Sequence, residues 1–230
     1  EIKHFQYLDA KSVNGTTLGE QIKNSAKWTQ NIITNKSNPV FNAGSIAVLK
    51  GTLAPNSAII KQSAATESLL IHEGRAVVFE GLEDLANRID RDDLDVTKDD
   101  VLVLKSIGPK GGPGMPEAGL IPIPKKLAKQ GVKDMVRISD GRMSGTASGT
   151  IILHVTPESY ENGPLAIVEN GDLIKLDVPK RKIDLMISEE EIAERLLKRK
   201  KLSIRRRGYN KIYMEHVTQA DRGVDFDFLI

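Results

Sequence analysis

The 230-residue sequence contains no cysteine. Disulfides, thiolate nucleophiles, zinc fingers and cysteine-ligated iron-sulfur centres are therefore excluded from anything the chain builds alone. Aromatic residues make up only 4%, too few to supply rows of rings for stacking nucleic-acid bases. Long apolar runs are missing as well. None approaches the roughly 20 residues of a membrane span, and no secretory signal pattern opens the chain. These absences predict a cytoplasmic protein with no membrane partner, and a first residue of Glu instead of Met suggests part of a longer polypeptide.

Acid is absent from one stretch. Lys198, Arg199, Lys200, Lys201, Arg205, Arg206 and Arg207 follow one another without an Asp or Glu, although the whole chain is only +2. The rest is thus net acidic, and basicity belongs to this segment. A charge run that continues an amphipathic helix reads as a solvated or intersubunit face, and without interleaved aromatics it argues against nucleic acid.

What is present is a series of short apolar runs, strand-length and β-branched, punctuated by Gly and Pro. They cover 46–49, 58–60, 76–79, 101–104, 135–138, 151–155, 166–168, 173–176 and 183–187. They lie too close together for a helix in every crossover, so the expected fold is β-rich α+β, a β-barrel with a few inserted and peripheral helices. Helical spacing marks 82–89. Ser188 with three acids behind it caps a helix through Leu197, with bases at its end as the macrodipole prefers. Thr17 and Glu20 form a capping box for a short helix. The division that follows is a lead-in or linker segment 1–43, a barrel domain 44–187, and a C-terminal helix and tail 188–230.

Two segments could carry chemistry. GPKGGPGMPE, from Gly108 to Glu117, can be neither helix nor central strand, so it is a loop whose backbone can approach a ligand closely. By composition a plain surface turn fits as well. The loop lacks the Lys-Ser/Thr ending of a Walker motif and the third glycine of a dinucleotide fingerprint. Glu117 is the group in it able to hold a hard cation. SDGRMSGT, from Ser139 to Thr146, follows a strand, and its Ser144 sits between small residues. The spacing is not that of a nucleophile elbow. Ser144 could act as a base only beside a strong cation or metal centre, which the sequence does not supply. His72 has no second His four residues on, and His154 lies in an apolar strand as a barrel-wall residue would.

Taken in order, GSIAVLKGTLAP (44–55), HEGRA (72–76), GPKGGPGMPE, SDGRMSGT and HVTPE (154–158) make the chain resemble the dihydroxy-acid and sugar-acid dehydratases over nearly its whole length. AGLIPIPKK (118–126) and the DFDFL end (225–229) look like the sugar-acid branch, the enzymes of arabinonate, xylonate and gluconate. The resemblance implies the C-terminal β-barrel domain of a hydro-lyase that converts a 2,3-dihydroxy carboxylate into a 2-keto acid. It implies an iron-sulfur cluster and Mg²⁺ in the full-length enzyme, a small-molecule sugar-acid substrate, an N-terminal domain of the same polypeptide as partner, a homo-oligomer, and a chain that is inactive without that cluster-binding domain. Carried over, Ser144 is the alkoxide base, Glu117 the carboxylate reaching Mg²⁺, and Thr146 a substrate-contacting hydroxyl. Arg142 is a contact for the substrate carboxylate or a loop support, with an ion pair to Asp140 or another neighbour as the bland alternative. The rival functions are the dihydroxy-acid dehydratase of branched-chain amino-acid synthesis and a non-catalytic barrel binding an anion or a protein.

Overall fold

The computed structural model describes residues 3–23, 25–26, 32–42, 44–199 and 207–229. The chain divides into two compact units, residues 1–44 and 45–230. The first carries helix α1 (Leu18–Lys23). Its start is the expected reciprocal cap: Thr17 N donates to Glu20 Oε2 at 2.8 Å, and Glu20 N donates to Thr17 Oγ1 at 3.2 Å.

The second unit is built on strands β1 (Ala47–Leu49), β2 (Ser57–Ile60), β3 (Ile71–Phe79), β4 (Val101–Leu104), β5 (Arg137–Ser139), β6 (Ile151–Thr156), β7 (Leu173–Asp177) and β8 (Lys182–Leu185). They form one sheet in the order β1-β2-β6-β5-β4-β3-β7-β8. The sheet curls until its ends meet: Lys50 N donates to Arg181 O at 3.0 Å and Ile183 N to Lys50 O at 3.2 Å. This seam closes the barrel and leaves no room for a side chain at Gly51, where a Cβ would lie 2.0 Å from Ile183 O.

Alternation along the strands sorts side chains between two cores. Ala76, Val78, Val101 and Val103 point inside the barrel with Leu49, Ile60, Ile138 and Ile152. Val77, Phe79, Leu102 and Leu104 point outward and are covered by helix α2 (Leu82–Arg88) and helix α3 (Lys125–Lys129), through Leu85 and Leu127. Strand β4 is thus buried on both faces, which is why it reads as four consecutive apolar residues.

Helix α4 (Glu189–Lys198) starts where expected, with Ser188 Oγ accepting from Glu191 N at 3.1 Å. Helix α5 (Tyr209–His216) follows in a stretch whose mixed composition carries no clear helical signal. The apolar run 166–168 is a correction. It is no strand but part of a 3-10 turn, Pro164–Ile167, opened by a proline with φ already set for a helical turn and buried against the barrel core. Of the basic run, Lys198 pairs with Glu194, and Arg199 donates to Ser159 O and, at 2.8 Å, to Asn162 Oδ1. Residues 200–206 lie outside the described residues. No helix among the described residues is long and apolar enough to cross a membrane.

Candidate active site

Four neighbouring strands, β3, β4, β5 and β6, run parallel, so their carboxyl ends lie at one end of the barrel. The glycine loop leaves β4 there, SDGRMSGT leaves β5, and HVTPE ends β6. Sequence motifs whose first residues lie 15 to 46 positions apart are brought together because parallel pairing demands a long crossover between neighbours.

Two buried carboxylates hold these loops. Asp140 accepts from Ser106 N at 3.2 Å, Ile107 N at 2.9 Å and Ser159 N at 2.9 Å. Glu158 accepts from Lys110 N at 2.9 Å, Gly111 N at 2.9 Å and Gln219 Nε2 at 2.6 Å. Both residues are fully buried. Burial pushes the Asp140 carboxyl up against the pull of its hydrogen bonds, and does the same to Glu158 with Asp140 adding to the effect.

On this footing the sequence-nominated residues fall into two pairs. Arg142 Nη2 lies 3.0 Å from Glu117 Oε1, both about half exposed, and Arg142 Nε donates to Met115 O at 2.8 Å. The arginine therefore pairs with Glu117 and not with Asp140. Its carbonyl accepts from Gly119 N at 2.6 Å, so the two loops are stitched by backbone as well as side chain. Ser144 Oγ lies 3.1 Å from Thr146 Oγ1 in a tight turn closed by Ala147 N on Ser144 O at 3.0 Å. Lys61 Nζ donates to Gly145 O at 2.7 Å and brings a positive charge to that turn.

His154 lies within β6 as a half-buried residue with φ of 52°, in the left-handed region. Its N donates to Gly141 O at 3.1 Å. Burial, with Arg142 nearby, lowers its pKa and works against the protonated imidazole. A cleft of about 480 Å³ beside Lys105, Arg88 and Glu80 contains none of Glu117, Arg142, Ser144 and Thr146.

The chain's donor set fits the two implied cofactors differently. Glu117 is a half-exposed carboxylate on a loop and fits as one ligand of a hard cation, but no group of three or more His, Cys, Asp or Glu that could hold a metal occurs among the described residues. With no cysteine, the residues do not fit an iron-sulfur cluster. Sequence reasoning missed Glu158 and Gln219. A Pro-Glu pair at a strand end is a faint signal for the first, while Gln219 lies 61 positions away and carries none.

Residues 31–224 match the family described as dihydroxy-acid/6-phosphogluconate dehydratase, C-terminal. The chain is 46% identical to the L-arabinonate dehydratase of Rhizobium leguminosarum, over 97% of this chain and 39% of that protein. It is 41% identical to the 6-deoxy-6-sulfo-D-gluconate dehydratase of Pseudomonas putida, over 100% of this chain and 40% of the relative. Identity to the dihydroxy-acid dehydratase of Carboxydothermus hydrogenoformans is also 41%, over 95% of this chain and 39% of the relative. The chain thus spans about two fifths of the length of the curated relatives it matches.

Proposed function

Because the chain belongs to the dihydroxy-acid/6-phosphogluconate dehydratase family, as its C-terminal part, we propose that it supplies the base and one metal ligand to a hydro-lyase acting on a sugar acid. The observation that carries this reading is the placement of Ser144, Thr146, Arg142 and Glu117 on two stitched loops at one barrel end. The names of the relatives from Rhizobium leguminosarum and Pseudomonas putida favour a sugar acid over a branched dihydroxy acid.

The reaction removes a proton from C2 and hydroxide from C3 of a 2,3-dihydroxy carboxylate, leaving an enol that ketonises to the 2-keto acid. Neither bond breaks readily unaided, so the work is divided. Ser144 Oγ takes the C2 proton. Thr146, at 3.1 Å, orients that oxygen, and the Lys61 charge on Gly145 O favours its ionised form. Arg142 holds Glu117 in place and keeps further N–H groups for the substrate carboxylate. Bound Mg²⁺ with Glu117 among its ligands would supply Lewis acidity toward the departing hydroxyl. Cluster ligands and the remaining metal ligands would come from outside this chain, in keeping with its share of the relatives' length.

The test is turnover by the complete enzyme, loaded with its metals, on L-arabinonate and on 2,3-dihydroxyisovalerate. Ser144→Ala is expected to lower kcat by about 10²–10⁴-fold without changing the visible spectrum of the enzyme. Full activity of that variant overturns the assignment of the base, and turnover of the branched acid alone overturns the sugar-acid reading.

A further inference from the structure

The chemistry above leaves Glu158 without a task, although its buried carboxylate is the hub of a polar network at the barrel end. Its oxygens accept from Lys110 N, Gly111 N and Gln219 Nε2, while Gln219 Oε1 accepts in return from Glu158 N at 2.8 Å. Among the described residues no Lys or Arg pairs with it. Its acceptor capacity is met by backbone and amide N–H groups. A buried carboxylate so satisfied fixes those groups in direction as well as distance, since losing any one leaves charge without a partner. The fit is close on the carbon side too: a Cβ at Gly108 would lie 2.7 Å from Glu158 Oε2.

The same C-terminal stretch meets the loop a second time. Gly114 N donates to Tyr213 Oη at 3.1 Å. Tyr213 is in turn set edge-on to Phe226, at 5.9 Å between ring centroids, and Phe226 stacks on Phe228 at 5.2 Å. The loop is therefore gripped at its base through Glu158 and Gln219 and near its tip through Tyr213. Just past the tip come Met115, whose carbonyl holds Arg142, and Glu117, which Arg142 pairs with.

We propose that Glu158 is a positioning residue through which the C-terminal segment 207–229 fixes the glycine loop and so aims Glu117 and Arg142. The link to catalysis rests on the dehydratase reading; the hold on the loop does not. Glutamine at position 158 would turn an N–H₂ toward groups that themselves donate, so the carboxylate is required.

The test is hydrogen exchange on the complete enzyme, followed by mass spectrometry, for Glu158→Gln and for Tyr213→Phe. Tyr213→Phe deletes one hydroxyl at a half-buried site and keeps the measurement open if Glu158→Gln fails to fold. Glu158→Gln is expected to speed exchange at Lys110 and Gly111 by roughly tenfold or more, and Tyr213→Phe to speed it at Gly114, with strand β4 unchanged in both. In steady state kcat/KM should fall by roughly tenfold or more, through kcat where Glu117 is misaimed and through KM where Arg142 is. Unchanged exchange over 105–116, or acceleration spread evenly over the barrel strands, overturns the proposal, as does local loosening with kcat/KM intact. Exchange is read without substrate. An enzyme that turns over neither the sugar acids nor 2,3-dihydroxyisovalerate would sink the dehydratase reading and still show whether Glu158 holds the loop.

Discussion

Strand β5 has an aspartate at each end, and the two are held in opposite ways. Asp134, before the strand, accepts from Thr66 Oγ1 at 2.7 Å, Thr150 Oγ1 at 2.7 Å and Thr150 N at 2.9 Å, and pairs with the buried Arg137 at 2.7 Å. Burial works to raise its pKa, but the hydroxyls, the amide and Arg137 outweigh it, and the carboxyl lies below its ordinary value. Asp140, after the strand, accepts backbone N–H groups, and burial dominates and raises it. One end of the barrel thus has charge neutralised by charge. The other has buried carboxyls met by N–H donors beneath loops rich in glycine, where burial works against the ionised form.

The largest expected effects separate these ends. Asp134→Ala strands Arg137 in the core and should lower the unfolding free energy by about 3–5 kcal/mol, measured by denaturant titration. Ser144→Ala removes one hydroxyl from a loop and should cost less than about 0.5 kcal/mol, while its effect falls on turnover. Equal destabilisation by both would erase the distinction between a structural and a functional end.

A smaller effect is expected at Glu117. In the complete enzyme, Glu117→Gln should raise the Mg²⁺ concentration giving half-maximal rate by at least the roughly tenfold that losing even an outer-shell partner costs. Without added Mg²⁺ the melting temperature should stay the same, since the partner lost among the described residues is a half-exposed ion pair. An unchanged Mg²⁺ requirement removes Glu117 from the metal site.

The pH dependence of thermal melting gives the finest contrast. A carboxyl with a raised folded pKa contributes stability that is complete below its unfolded value, about 4, and lost as pH rises through the folded one. Glu158→Gln should therefore flatten the decline in melting temperature above about pH 5. Asp134 has the opposite sign: its contribution is complete above about pH 4 and lost as pH falls through its lowered value. Asp134→Asn should flatten the acid limb only. A variant that alters the other limb would show that the two ends are electrostatically coupled.

Eight of the apolar runs in the sequence are strands because each has a β-branched, two-sided or alternating pattern that local geometry must satisfy. The run 166–168 shows the limit of that signal. Three apolar residues behind Pro164 are buried as a 3-10 turn, and burial alone does not distinguish the two. Helix α5 was hidden for the converse reason, since its exposed face carries aromatics and its buried contact is chiefly Met214. For the candidate site, ordered motifs were what nominated Glu117, Arg142, Ser144 and Thr146. That Arg142 meets Glu117, and not its near neighbour Asp140, was not, because Asp140 is turned inward by three backbone donors from two other segments.

The sequence by itself determined the β-rich class, the caps of α1 and α4, the family and the lack of cysteine, since each depends on residue type, order or short-range spacing. Tertiary structure alone decided the closure at Lys50 and Lys182, the gathering of three loops at the carboxyl ends of parallel strands, and the grip of Gln219 and Tyr213 on the glycine loop. Those features join residues far apart in the chain through hydrogen bonds whose direction no local pattern encodes, and they exist only once the barrel has buried its two cores.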